Sequence, residues 1–181
     1  MRELLRTAHT HQLSEAGLAD IRNMLDAAFC GDFSDEDWTH GLGGIHAFVR
    51  DRRGPAAHGS VIMRRVLHAG RSYRVGHVEA VAVRADRRRE GLGGRVMLAL
   101  ETVIDQAYDF GTLSASDEGA GLYRSRGWRL WEGRIEALGP AGPVRLPGEE
   151  DSTYLRPAAG RELPDHGAGA LLFDWRDGDL L

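Results

Sequence analysis

One stretch of the chain has the make-up of an anion holder. Val81-Ala82-Val83-Arg84-Ala85-Asp86-Arg87-Arg88-Arg89-Glu90-Gly91-Leu92-Gly93-Gly94 reads as the end of a hydrophobic strand, an arginine-rich loop and the glycine-marked start of a long helix. Free backbone N–H groups at a helix start, the helix dipole and glycines that admit close approach together favour phosphate. The glycine spacing is not the dinucleotide-binding fingerprint, and a P-loop would need lysine. The other reading of the same residues is a basic loop before a flexible helix start. Charge is segregated along the chain. Arg84 to Arg95 holds five arginines against two acids, Asp32 to Asp37 four acids and no base, and Gly148 to Leu181 eight acids against three arginines. That distribution suggests one anionic and one cationic partner, with accidental clustering on a solvated surface as the plainer alternative.

Other residue types narrow the chemistry. All 23 basic residues are arginine, so Schiff-base catalysis by lysine is excluded. Cys30 is the only cysteine, which rules out an internal disulfide and a cysteine-rich zinc site. Between Phe29 and Gly31 it reads as a small buried hydrophobe. His9-Thr10-His11 has the look of a metal pair but has no acidic or cysteine partner nearby, so no metal is expected. Taken alone, Glu79 reads as a satisfied carboxylate near a strand end, and Tyr123, just before Gly127-Trp128, as a core tyrosine.

The elements that must position these residues follow from periodicity. Strands are expected at Glu3–His9, Ile45–Arg50, Gly59–Leu67, Ser72–Arg84, Thr112–Ala115, Trp128–Trp131, Ser152–Arg156 and Ala170–Trp175. The run Val78-Glu79-Ala80-Val81-Ala82-Val83 suits a central strand covered on both faces. Ser14 is the expected N-cap of a helix to about Phe29, and Ser34 with Asp37 a variant capping box opening a short helix. Leu92, Val96, Leu100, Val103 and Ala107 mark a long amphipathic helix, and Glu118–Arg126 a shorter one. Gly139–Gly148 reads as a loop. The 181 residues suit a single domain spanning 1–181, without an evident signal peptide or membrane helix, and a cytoplasmic location is expected.

Arg88-Arg89-Glu90-Gly91-Leu92-Gly93 resembles the acetyl-CoA signature of the GNAT N-acetyltransferases, Arg/Gln-x-x-Gly-x-Gly/Ala, and follows a hydrophobic strand as it does there. Leu122-Tyr123-Arg124-Ser125-Arg126-Gly127-Trp128, about thirty residues on, is similar to the superfamily's Leu-Tyr-x-x-x-Gly-Phe segment. The segments Gly31-Asp32-Phe33, Asp37-Trp38, Leu42-Gly43-Gly44, Val78-Glu79, Arg84-Ala85-Asp86, Ser125-Arg126-Gly127-Trp128 and Asp174-Trp175-Arg176 resemble the aminoglycoside 2'-N-acetyltransferases over nearly the whole chain.

The resemblance implies an α/β (α+β) fold: a central mixed twisted sheet flanked by helices, with a splayed strand pair holding acetyl-CoA. It implies that Val81, Ala82 and Val83 offer backbone to the pantetheine arm and that Arg88, Arg89, Glu90, Gly91, Leu92 and Gly93 hold the pyrophosphate. Glu79 becomes a base acting through water, with His77, on the same strand face, as an alternative; Tyr123 becomes the acid for the departing thiolate. Asp32, Asp37, Glu79, Ala80, Ser114, Gly148, Glu149, Asp179 and Leu181 fall in drug recognition, where a polycation calls for carboxylates. Ala80, Glu149 and Leu181 depart from the expected glycine, aspartate and terminal tryptophan. A homodimer is also implied. Two alternatives stay open: a GNAT enzyme for another polyamine, amino sugar or peptide amine, and a nucleic-acid-binding module using Arg84 to Arg95. The net charge of −4 and the absence of interleaved aromatics count against the latter.

Overall fold

A computed structural model describes residues 4–181. They form ten strands, β1 (Leu5–His9), β2 (Ile45–Asp51), β3 (Gly54–His68), β4 (Arg71–Val83), β5 (Phe110–Ser114), β6 (Arg129–Leu130), β7 (Ile135–Gly139), β8 (Gly142–Arg145), β9 (Thr153–Pro157) and β10 (Leu171–Asp174). The four α-helices are α1 (Glu15–Ala28), α2 (Asp35–His40), α3 (Leu92–Ala107) and α4 (Asp117–Ser125). The chain divides into two compact units: residues up to Ile62 with Val78–Val103, and Met63–His77 with Ile104–Leu181.

In the first unit β1 pairs antiparallel with β2, and β2 with the first half of β3, through a two-residue turn at Arg52-Arg53. The register shifts by one at Val49/Arg50, where Ala56 of β3 is the extra residue, so every earlier residue of β2 faces a partner one place further along β3. The expected caps form. Ser14 accepts from the Gly17 amide, and Ser34 and Asp37 exchange side-chain-to-backbone hydrogen bonds in a complete capping box. Buried Ile21, Met24 and Leu25 make the inner face of α1, packed with Phe33, Trp38, Ala80 and Ala82. Helix α3 buries Leu92, Val96, Met97 and Leu100. A Cβ at Gly59 of β3 would lie 2.9 Å from Val96 and 3.1 Å from Leu100, so the missing side chain lets α3 settle on the sheet.

In the second unit the hydrogen-bonded order β6-β9-β5-β4 lies along one edge of the β4–β3 pair and β10-β7-β8 along the other. Pairing is parallel for β4–β5 and β10–β7, antiparallel for β5–β9, β6–β9, β7–β8 and β10–β3. The core gathers Val66, Val75, Phe110, Trp131, Ile135, Leu155, Leu171, Phe173 and Leu181.

Several boundaries differ from the sequence reading. Glu3, the expected first residue of β1, lies outside the described residues. The expected loop at Gly139–Gly148 is largely the β7–β8 hairpin; its Pro143 is tolerated because β8 is an edge strand, where a missing N–H costs no ladder bond. Cys30 is exposed rather than buried: it follows the end of α1 with φ of 58°, beside Gly31 at 85°, in a left-handed turn that carries its side chain outward.

The C-terminal segment is pinned by one buried cation. Arg64 of β3, 1% exposed, donates from Nε to the Asp174 carboxylate at 2.9 Å and from its two Nη groups to the carbonyls of Asp174 and Leu180. Its guanidinium also lies 5.2 Å from the Phe173 ring centre. Arg64→Met leaves two carbonyls short of a donor while Asp174, half exposed, falls back on water. The expected cost is about 2–4 kcal/mol, read as a drop of roughly 5–10 °C in Tm with faster amide exchange over 174–181. Unchanged exchange there would contradict the clamp.

Candidate active site

Strand β4 carries its own irregularity. Ala80 has φ of 50°, the left-handed region that costs an L-residue roughly 1–2 kcal/mol. Consecutive carbonyls of a regular strand point to opposite sides. Here both are taken by side chains of β3: the Ala80 carbonyl by His58 Nδ1 at 3.0 Å, and the Glu79 carbonyl by Ser60 Oγ in a long contact of 3.5 Å. His58 Nε2 in turn meets His46 Nδ1 at 2.9 Å, and His46 Nε2 meets Thr10 Oγ1 at 2.8 Å. Thr10 Oγ1 accepts from the Gly43 amide at 2.8 Å. Burial pushes His58 down to about 3 and His46 to about 4, so both rings are neutral at physiological pH. Glu79 itself, like Ala80, Val81, Ala82 and Val83, is half-buried.

Beyond β4 the arginine loop separates into two groups. Arg84 and Arg87 are structural. Asp51 binds both, at 2.5 Å and 2.6 Å; Asp86 binds Arg84 and Arg53, each at 2.6 Å; Glu90 binds Arg87 at 2.7 Å. The two guanidinium groups, Arg84 first, hold the Asp51 carboxyl far below the usual carboxylate range. Arg88 and Arg89 are exposed and form no ion pair among the described residues; Arg88 makes only long contacts, 3.4 Å to the Val83 carbonyl and 3.5 Å to that of Ala28. The open positive charge of the loop is therefore smaller than the local sequence count, because Asp51 comes from a distant segment. Arg89 with φ of 62° and Gly91 with φ of 77° are left-handed residues flanking Glu90. Alternation of this kind forms anion-binding concavities from successive amides, and the first amides of α3 have no helical acceptor. Leu92 buries its side chain, while Gly93 sits in the first turn.

Among the acidic residues of the first unit, Asp32 is exposed just after α1, and Asp37 commits Oδ2 to the Ser34 amide at 2.8 Å. In the second unit Ser114, at the end of β5, donates to Glu149 Oε2 at 2.9 Å, and Ser152 lies within 3.1 Å of both. Gly148 is exposed in the same 3-10 turn, Pro147–Glu149. Asp179 is exposed; its backbone carbonyl accepts from Arg176 Nε at 2.8 Å. Leu181 is 7% exposed, its side chain in the core rather than on the surface. Tyr123 of α4 is buried edge-on to Trp128, and burial pushes its phenol up to about 12. His77 is 1% exposed, paired with Thr112 Oγ1 at 2.8 Å and edge-on to Phe173, a packed position with little access to solvent. His9 and His11 join through their Nδ1 atoms at 2.8 Å, and no metal-binding group of three or more His, Cys, Asp or Glu occurs among the described residues. No described helix is long and apolar enough to cross a membrane.

An aminoglycoside 2'-N-acetyltransferase of Mycolicibacterium fortuitum is 44% identical to this chain over 178 residues, 97% of this chain and 90% of its own length. The chain belongs to the aminoglycoside 2'-N-acetyltransferases. No protein-family model matches it. Among solved structures, the GNAT family N-acetyltransferase YhbS of Escherichia coli in complex with CoA superposes with a TM-score of 0.68 at 17% identity, covering 98% of this chain and 91% of that one. A GNAT acetyltransferase of Brucella melitensis in complex with acetyl-CoA gives 0.59 at 16%, covering 91% and 94%. A longer probable N-acyltransferase of Enterococcus faecalis, of which this chain spans 34%, gives 0.61 at 13%. The fold of this acetyltransferase is thus the GNAT fold, a mixed sheet flanked by helices.

The sequence reading passed over His46, His58, Thr10 as a hydrogen-bonding group, Asp51 and Arg64. Counting outward from the Arg52-Arg53 turn puts His46 opposite Gly59, on the other face from His58. The bulge at Val49/Arg50 instead sets His46 opposite Ser60 and beside His58. The buried neutral histidines have a consequence for stability. The unfolded chain binds protons at both below about pH 6.5, whereas the folded protein does so only near pH 4 and 3. Stability therefore falls as pH drops through that interval, by up to about 1.4 kcal/mol per pH unit per ring. Urea unfolding at pH 7, 6 and 5 checks this; a flat profile between pH 6 and 5 would contradict it.

Proposed function

We propose that this acetyltransferase moves the acetyl group of acetyl-CoA to the 2'-amino group of aminoglycosides, as a single domain spanning 1–181, by direct attack in a ternary complex. The observation that carries the proposal is the 44% identity, over 97% of the chain, to a protein named for that reaction. Arg88, Arg89, Glu90, Gly91, Leu92 and Gly93 hold the CoA pyrophosphate on loop and helix amides. The backbone of Val81, Ala82 and Val83 holds the pantetheine arm. The left-handed loop, the exposed Arg88 and Arg89 and the helix start support this half of the reading. Asp32, Asp37, Glu79, Ala80, Ser114, Gly148, Glu149, Asp179 and the terminal carboxylate of Leu181 receive the polycation. The Ser114–Glu149 hydrogen bond supports a shared polar patch in that group.

An ammonium has no lone pair, so the amine must lose a proton before it attacks the thioester carbonyl; Glu79 takes it through water. Backbone amide donation stabilises the tetrahedral oxyanion. As that intermediate collapses, the C–S bond breaks and Tyr123 gives its proton to sulfur; the attacking nitrogen, cationic since the attack, releases its second proton to solvent, and the phenolate regains one from solvent. A buried phenol raised to about 12 keeps that proton at neutral pH until a thiolate forms. Cys30 takes no part, and no acetyl-enzyme forms; Cys30→Ser retains activity. The protein works in the cytoplasm, as a homodimer.

Three measurements test this reading. Tobramycin and gentamicin, which carry a 2'-amine, turn over efficiently, while kanamycin A, with a far less nucleophilic 2'-hydroxyl, competes and reacts very slowly. Mass spectrometry finds the acetyl at 2'; comparable rates on tobramycin and kanamycin A, or acetyl at the 3- or 6'-amine, contradict the assignment. Arg88→Ala raises the KM for acetyl-CoA about tenfold, the scale of one lost charge-assisted contact of ~1.5 kcal/mol, with a much smaller effect on drug KM. Equal damage to both would make the loop a purely structural element.

A further inference from the structure

The chain of side chains from Thr10 to Ala80 has one allowed direction. The Ala80 carbonyl only accepts, so His58 Nδ1 carries the hydrogen and His58 Nε2 is the acceptor. His46 Nδ1 must then donate to it, which leaves His46 Nε2 to accept from the Thr10 hydroxyl. Thr10 Oγ1, having donated, accepts from the Gly43 amide. Both rings are thereby locked as Nδ1–H tautomers by partners at 2.8–3.0 Å, in sites 0% and 1% exposed. Because the chain ends on a carbonyl, which holds no proton to pass on, it cannot carry protons. It is a strut.

What the strut bears on is the backbone that distinguishes this β4 from a regular strand. Ala80 occupies the left-handed region without glycine's freedom, and Ser60 holds the neighbouring carbonyl only through a 3.5 Å contact. Rotation at Ala80 sets the direction of the Glu79 side chain on one side and of the Val81 backbone on the other.

We propose that His58, backed by His46 and Thr10, is a positioning residue for acetyl transfer: it holds Ala80 in its left-handed conformation and so aims Glu79 and Val81. The proposal rests on the assignment of Glu79 as base and β4 as the acetyl-CoA strand. Loss of the strut matters because alanine resists this conformation, and matters less where glycine adopts it freely. The test is a double-mutant cycle on kcat at saturating acetyl-CoA and tobramycin. His58→Leu lowers kcat at least tenfold relative to wild type, yet less than threefold when Ala80→Gly and His58→Leu/Ala80→Gly are compared. The melting temperature falls on both backgrounds, because the orphaned carbonyl remains. An equal loss of kcat on both backgrounds, or none in the single variant, overturns the proposal. Wild-type turnover reports on the functional reading by itself. Nitrogen-15 NMR of histidine-labelled wild-type protein tests the strut without turnover. His46 and His58 both appear as Nδ1–H tautomers from pH 6 to 8, and an Nε2–H tautomer at either ring overturns it.

Discussion

A residue held in the left-handed region inside β4 is the constraint on which the site's geometry turns. A strand that continued regularly through Ala80 would send alternate carbonyls to opposite edges and leave β3 and β4 to pair without interruption. With φ at 50°, the carbonyls of Glu79 and Ala80 are both met by side chains of β3. The neutral histidine pair makes that arrangement affordable, since a buried carbonyl without a donor would cost more than the rings' desolvation as neutral species.

The second organising feature is the way arginine is divided. Asp51, at the end of β2, joins Arg84 and Arg87, which Asp86 and Glu90 also pair, and fixes the loop between β4 and α3. Arg88 and Arg89, the next in sequence, keep their charge outward. One pair fixes the loop's backbone, and the other gives it a field. An arginine-only protein suits this division, because the planar fork that binds Asp51 at two donors has no counterpart in lysine. The acidic residues have a similar division of labour. Asp37 closes a helix cap with one oxygen, and Glu149 joins Ser114 and Ser152, so both carboxylates are tied into local structure.

Local signals in the sequence were accurate where the chemistry is local. Ser14, the Ser34/Asp37 box and the Leu92–Leu100 periodicity marked α1, α2 and α3 because caps and helix faces are decided within a few residues. The β7–β8 hairpin was hidden by Gly139, Pro140, Gly142 and Pro143: Gly139 pairs with Gly142 and Pro143 with Leu138, while Pro140 stays in the turn. Cys30 reads as a core residue by composition, yet its position just past a helix end turns it outward. Asp51 with Arg84 and Arg87, and Arg64 with Asp174, are pairings across 33, 36 and 110 residues, which no spacing rule reaches. The His46–His58 pair depended on a bulge that a two-residue turn does not announce. The left-handed turn before α3 was legible because its glycines stand beside backbone that few other residues adopt, as at Gly91 with φ of 77°.

The proposed mechanism requires CoA to bind along the passage from β4 through the loop to α3. Titrating nitrogen-15-labelled protein with CoA and following backbone amides tests it most directly. The largest shifts are expected at Val81, Val83 and the amides from Arg89 to Gly94, with little change along β7 and β8. Saturable shifts centred elsewhere, with the amides from Arg89 to Gly94 unmoved, would contradict it.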